Sequence, residues 1–140
     1  MEKYIHKVQY YETDKMGIVH HSNYIRWMEE ARVDFFEKIG CNYKKLEDEG
    51  IISPVIGVEC NYKVSTKFED YVEIEVKIKE FKGVKLIFEY LMKNIETGEL
   101  VADAKSKHCF VNSDNRPIIL KKEFPELDKK LKELVVTIHG

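Results

Sequence analysis

Cysteine is scarce: Cys41, Cys60 and Cys109 are the only three in 140 residues. Their number is odd, their spacing is wide, and no CxxC occurs, so a disulfide framework is excluded. Free buried thiols in a reducing cytoplasm are the expectation. The one close His/Cys pair, His108-Cys109, is adjacent and would point to opposite faces of a strand, which excludes a structural zinc site there. Long apolar runs are missing too: none approaches the roughly 18 residues of a membrane helix. The first residues, MEKYIHKVQY, alternate and lack the apolar segment of a signal peptide. The expectation is a cytoplasmic chain without membrane insertion. Charge of one sign is also absent. The 23 basic and 25 acidic residues are interspersed, for a net charge of −2. No field is set up to attract nucleic acid or a membrane surface. There is no linker, repeat or low-complexity tract, so residues 1–140 read as one domain.

What is present is a mixed pattern. Lys3 to Tyr11 alternates as a first strand. A loop from Glu12 to Ser22 follows. Tyr24, Trp27, Met28, Ala31 and Phe35 then fall on one helical stripe. Ser22 or Asn23 can cap the start, and Gly40 can end the helix in a left-handed conformation. After a polar stretch, Val55 to Val64 reads as a strand. Val72, Ile74, Val76 and Ile78 alternate with charged residues as a half-buried strand. Turns at Lys82-Gly83 and at Glu96 to Glu99 lead into strands at Val84 to Asn94 and Leu100 to Val111. In the last of these, Ala102, Ala104, Ser106 and His108 share a face whose small residues would let a helix approach closely. Leu127, Leu131 and Leu134 form a final stripe after Pro125. Strand, long helix, four antiparallel strands and C-terminal helix make an α+β chain, an antiparallel sheet wrapped around one central helix. Ile87 and Leu91 put apolar residues on the second face of their strand. Another subunit or the C-terminal helix can cover them.

The most informative stretch runs from Tyr10 to Arg32, YYETDKMGIVHHSNYIRWMEEAR. It places one carboxylate, Asp14, beside Gly17 and the pair His20-His21, just before the helix. Backbone N–H groups at a helix N-terminus carry about half a positive elementary charge and suit an oxygen that becomes negative during reaction.

Thr13-Asp14-x-x-Gly17-x-Val19, then Asn23-Tyr24 and Glu29-x-Ala31-Arg32, resembles the hotdog-fold acyl-CoA thioesterases. The likeness is strongest to the 4-hydroxybenzoyl-CoA thioesterase and to the Tol–Pal-associated thioesterases. The detailed match covers about 20 residues, and the order of elements agrees over nearly the whole chain. The resemblance implies that Asp14 is the catalytic carboxylate. It puts His21 at the helix entrance, where the backbone N–H polarises the thioester carbonyl and where the Tol–Pal-associated branch has a His implicated in catalysis. It further implies a homodimer whose sheets join, often paired into a homotetramer, with active sites between subunits. No metal or cofactor is implied, coenzyme A being part of the substrate. This chain departs in having Glu12 where many relatives carry Asp or Gly. It also has Lys15-Met16 where small residues or Pro are usual, which leaves the acyl group open.

The chemistry needs few parts. A carboxylate attacks the thioester carbonyl or activates water, and a donor stabilises the oxyanion. Each site residue has a plainer competitor. Asp14 can simply form a turn, and His20 and His21 can be ordinary loop residues. Gly17 is a substrate-binding candidate that serves backbone geometry, by permitting φ > 0 or close approach of a ligand. Val19 and Tyr24 are substrate-binding candidates, with Tyr24 also fitting the core. Glu29 is a candidate supporting acid, or it pairs with Arg32 three residues on. Lys63, Lys67, Lys82 and Lys85 can meet the phosphates of coenzyme A or be solvated surface. Coenzyme A and acyl carrier protein present the same pantetheine arm and are not separated. Two other functions use the same residue types. One is a hotdog dehydratase or hydratase pairing His21 with Glu29 or Glu30. The other is a non-catalytic acyl-binding module.

Overall fold

Helix α1, Ser22–Lys38, carries Trp27, the largest fully buried side chain among the described residues. Tyr24, Trp27, Met28, Ala31, Arg32, Phe35 and Phe36 recur at three- and four-residue spacing and are all buried. The computed structural model describes residues 2–139, with side chains through Val135. Residues 1 and 140 of the expected domain lie outside the described residues.

The other elements are β1 (Tyr4–Lys7), α2 (Tyr43–Asp48), β2 (Val55–Tyr62), β3 (Tyr71–Phe81), β4 (Lys85–Asn94), β5 (Leu100–Cys109), α3 (Leu120–Glu123) and α4 (Pro125–His139). The strands form a 5-stranded sheet in the order β1-β3-β4-β5-β2, every pair antiparallel. The sheet therefore ends on β2 at one edge and β1 at the other. Among the described residues no helix is long and apolar enough to cross a membrane.

Cross-strand register explains the core. Tyr90 lies opposite Ala104, Met92 opposite Ala102 and Phe88 opposite Ser106. Each large side chain on β4 thus meets a small one on β5, which leaves room for the rings of α1. Phe35 and Phe36 stand edge-on to Phe88 at 5.5 and 5.9 Å between centroids. The small residues of β5 make space for bulky side chains. The backbone of the helix runs close to β1, β2 and β3, most extensively to β3.

Several local expectations are corrected. The first strand stops at Lys7, and a single 3-10 turn, Tyr10–Glu12, takes its place. Neither Ser22 nor Asn23 caps α1; His21 occupies the cap position, and its side chain makes no capping bond. Gly40 does end the helix at φ 82°, with its N–H donating to Glu37 O at 3.0 Å. The polar stretch after it forms α2, capped by the Asn42 side chain accepting from Lys45 N–H at 2.8 Å. Leu127 and Leu131 of α4 join the same core as α1. The described side chains of that helix therefore face this core, and Ile87 and Leu91 stay half-buried on the opposite face. The three cysteines are free and half-buried rather than buried.

Arg32 does not pair with Glu29. It is buried, and its guanidinium donates to Tyr90 Oη at 3.1 Å. Tyr90 Oη lies 2.5 Å from Ser106 Oγ, which lies 2.7 Å from His108 Nε2. Burial, with the positive Arg32 nearby, pushes His108 down from 6.5 to about 4. The unfolded chain therefore takes up this proton first. The stability contributed by a neutral His108 is complete above pH 6.5 and is lost as pH falls toward 4. Full protonation is worth about 3 kcal/mol. We predict that His108→Gln flattens the fall in urea-denaturation stability across that window. A wild-type slope in the variant would refute the assignment.

Candidate active site

Backbone hydrogen bonds shape the loop before any side chain acts. Asp14 N–H donates to Ile18 O at 2.8 Å, and Gly17 N–H donates to Asp14 O at 3.0 Å. Val19 N–H is tied across to Thr66 O at 2.8 Å. Gly17 sits at φ 82°, and a Cβ there would meet nothing within 4 Å. The requirement at this position is a backbone angle, not space. Asp14 does form the turn: its Oδ1 accepts Met16 N–H at 2.8 Å. Oδ2 makes no hydrogen bond among the described residues, and the side chain is exposed. Turn-making and availability for chemistry thus coexist in one carboxylate.

The start of α1 is built without a side-chain cap from His21. Instead, His20 Nδ1 accepts Ser22 N–H at 3.2 Å and lies 2.8 Å from Ser22 Oγ. Asn23 N–H donates to His20 O at 3.0 Å and Tyr24 N–H to His21 O at 3.3 Å. Of the four amides from His21 to Tyr24, only that of His21 has no hydrogen bond among the described residues. It is the unsatisfied donor that helix termini leave over. The His20 and His21 rings stack at 4.2 Å.

A cleft of about 290 Å³ brings these groups together. Asp14, Val19, His21, Tyr24, Tyr62 and Ser65 are among its lining residues. Tyr24 belongs to both core and cleft: it is 3% exposed, and its hydroxyl lies 2.9 Å from Thr66 Oγ1. Tyr62 Oη donates to His21 O at 3.3 Å, and its ring meets that of Tyr24 at 5.2 Å. Burial raises both phenols above their ordinary value. They stay neutral at physiological pH and act as walls and donors, not as bases.

Four of the six predicted site residues, Asp14, Val19, His21 and Tyr24, line this cleft. Gly17 does not line it but forms the turn that presents Asp14. Glu29 is exposed and lies outside it. Glu30 is engaged elsewhere, with His6 Nδ1 at 2.9 Å and Tyr4 Oη at 3.0 Å. Among the described residues His21 is therefore not paired with Glu29 or Glu30. Tyr62 and Ser65 escaped the sequence reading. Tyr62 lies opposite inward-facing Ala102, so alternation along β2 was the available signal. Lys63 also lines the cleft, with its ammonium 3.8 Å from Asp103, whereas Lys82 and Lys85 do not. Among the described residues no group of three or more His, Cys, Asp or Glu gathers in a way that could hold a metal ion.

Known proteins are similar to this chain in sequence and fold. Residues 8–134 match the thioesterase-like superfamily. A putative acyl-CoA thioesterase of Bacillus subtilis, YneP, is 35% identical over 121 residues, covering 86% of this chain and 87% of that protein. The acyl-CoA thioesterase YbgC of Helicobacter pylori is 30% identical over 129 residues, covering 86% and 95%. A DHNA-CoA thioesterase from Staphylococcus aureus superposes with a TM-score of 0.93 at 30% identity, covering 99% of this chain and 93% of that one. The chain belongs to the thioesterase-like superfamily and is a thioester hydrolase of the hotdog fold.

Proposed function

We propose that the chain hydrolyses acyl-CoA in the cytoplasm, with Asp14 as the reacting carboxylate and the His21 N–H as oxyanion donor. The observation that carries this reading is a single cleft lined by both residues, one with an unbonded carboxylate oxygen and the other with an unbonded amide. Two routes suit the geometry. In one, Asp14 attacks the carbonyl carbon, the C–S bond breaks, and thiolate leaves. The resulting mixed anhydride is then hydrolysed by water. In the other, Asp14 takes a proton from the water that attacks the carbonyl carbon, the C–S bond breaks, and the thiol leaves with that proton to give the free acid. In both, charge develops on the carbonyl oxygen beside the N-terminus of α1, where a fixed donor needs no reorganisation. One such donor is worth about 3 to 4 kcal/mol in enzymes that use it.

The aromatic walls formed by Tyr24, Tyr62 and His21 favour an aromatic acyl group over a long aliphatic chain. The Staphylococcus aureus relative acts on DHNA-CoA, in keeping with this preference. Acyl carrier protein is the alternative carrier, since it presents the same pantetheine arm. A homodimer joined along β2, itself paired into a homotetramer, completes the reading. β2 is an edge strand that exposes Val55, Ile56 and Val58. Such an edge is a template for pairing with a second copy.

Free thiol release from aromatic, short-chain and long-chain acyl-CoAs tests the assignment. Asp14→Asn is expected to lower kcat by about two orders of magnitude, and wild-type turnover in that variant would remove Asp14 from the reaction. His21→Ala keeps the backbone N–H and is expected to lose no more than about tenfold in kcat. A loss equal to that of Asp14→Asn would assign the principal role to the imidazole instead. We also expect kcat/KM to be highest for an aroyl-CoA; a preference for palmitoyl-CoA would overturn the aromatic-acyl reading.

A further inference from the structure

Glu12 is a buried carboxylate that the proposed hydrolysis does not use. It is 3% exposed. Its Oε1 accepts Gln9 N–H at 2.8 Å and lies 2.8 Å from His6 Nε2. Its Oε2 accepts the Trp27 indole N–H at 2.6 Å. Its backbone carbonyl accepts twice more, from His20 N–H at 2.9 Å and from Asn23 Nδ2 at 2.9 Å. One residue therefore holds both ends of the loop that carries Asp14. The loop leaves Glu12 at Thr13 and returns to it at His20. The side chain ties the same point to Trp27, in the second turn of α1, and the carbonyl ties it to Asn23, in the first. Burial opposes charge on Glu12, but the bonds from Gln9, His6 and Trp27 outweigh it and hold the carboxyl below its ordinary value.

From this geometry we infer that Glu12 is a positioning residue, which clamps the Asp14 loop to α1 and so fixes the Asp14 carboxylate relative to the His21 amide. The inference rests on the roles proposed above for Asp14 and His21. Hydrolysis is sensitive to such placement, since a shift of about 1 Å between reacting groups can cost about a hundredfold in rate. Glu12→Gln isolates the effect. It keeps the shape of the side chain but replaces one acceptor oxygen by a donor NH₂. Gln9 N–H and Trp27 N–H approach different oxygens, so either orientation of the amide sets donor against donor. The clamp loosens without opening a cavity.

The test combines steady-state hydrolysis of benzoyl-CoA with amide hydrogen exchange on the full chain, for wild type, Glu12→Gln, Trp27→Phe and Asp14→Asn. In Glu12→Gln we expect kcat to fall between about tenfold and a hundredfold, with KM within about threefold. The amides of Asp14, Val19 and His20 should exchange at least about tenfold faster, with those of β3 to β5 unchanged. Trp27→Phe removes the indole donor and also shrinks a fully buried ring, so its exchange is read as the excess at the loop over β3 to β5. That excess should be smaller than in Glu12→Gln and keeps the test decisive if Glu12→Gln does not fold. Unchanged loop exchange in the folded variants would overturn the inference, whatever happens to kcat. So would exchange that rises equally across the sheet, because that describes general loosening. Wild-type turnover in Asp14→Asn would instead overturn the reaction assignment, while loop exchange still decides whether Glu12 acts as a clamp.

Discussion

The apolar seam between α1 and the inner face of the sheet fixes everything that happens at the cleft. Trp27, Met28 and Phe36 from the helix and Phe88, Tyr90 and Met92 from β4 are all fully or almost fully buried. Burying side chains of this size contributes about 1.5 to 3 kcal/mol each. Close packing permits only one axial position for a helix bearing such rings. The N-terminus of α1, and with it the amide of His21, is therefore placed by residues one to four turns further along. The Asp14 loop is then hung from that same end by Glu12 and by the Val19–Thr66 bond. The geometry of the cleft is a consequence of core packing, transmitted by a few hydrogen bonds.

Polar groups within that core follow two different patterns. The Glu12 carboxylate meets Gln9 N–H, the Trp27 indole N–H and His6. Buried charge is tolerated when its lone pairs are occupied in this way. Arg32 is also buried, but it has no carboxylate within ion-pair distance among the described residues, and its Nε lacks a hydrogen-bond partner. Its charge is met by the oxygen of Tyr90, backed by Ser106 and His108. The first arrangement holds the functional loop. The second lies beneath the sheet's inner face and bears on stability, through the depressed His108.

Periodicity made the central helix legible, because Tyr24, Trp27, Met28, Ala31 and Phe35 obey it without exception. Strand alternation likewise located β3, β4 and β5, and the Asp14-x-x-Gly17 spacing located the loop. Other features were hidden because they depend on three-dimensional partners. The helix start was misread because its cap is the His20 ring rather than a Ser or Asn side chain. Glu12 drew notice only as an unusual residue: a capping box joins it to Gln9 locally, but its partners His6 and Trp27 are brought to it by the fold. Arg32 looked like a surface partner for Glu29, because three-residue spacing on a helix does not reveal which side faces Tyr90. Tyr62 is brought to the cleft by the β2–β5 register, which sets it opposite Ala102; alternation along β2 indicates a face but does not supply that partner.

The most direct test is a crystal structure with a coenzyme A thioether ketone, in which a methylene separates sulfur from the carbonyl and blocks hydrolysis. The account predicts the carbonyl oxygen at about 3 Å from the backbone N–H of His21 and the carbonyl carbon at about 3 to 3.5 Å from an Asp14 carboxylate oxygen. A ketone seated away from the start of α1, with Asp14 turned to solvent, would contradict it.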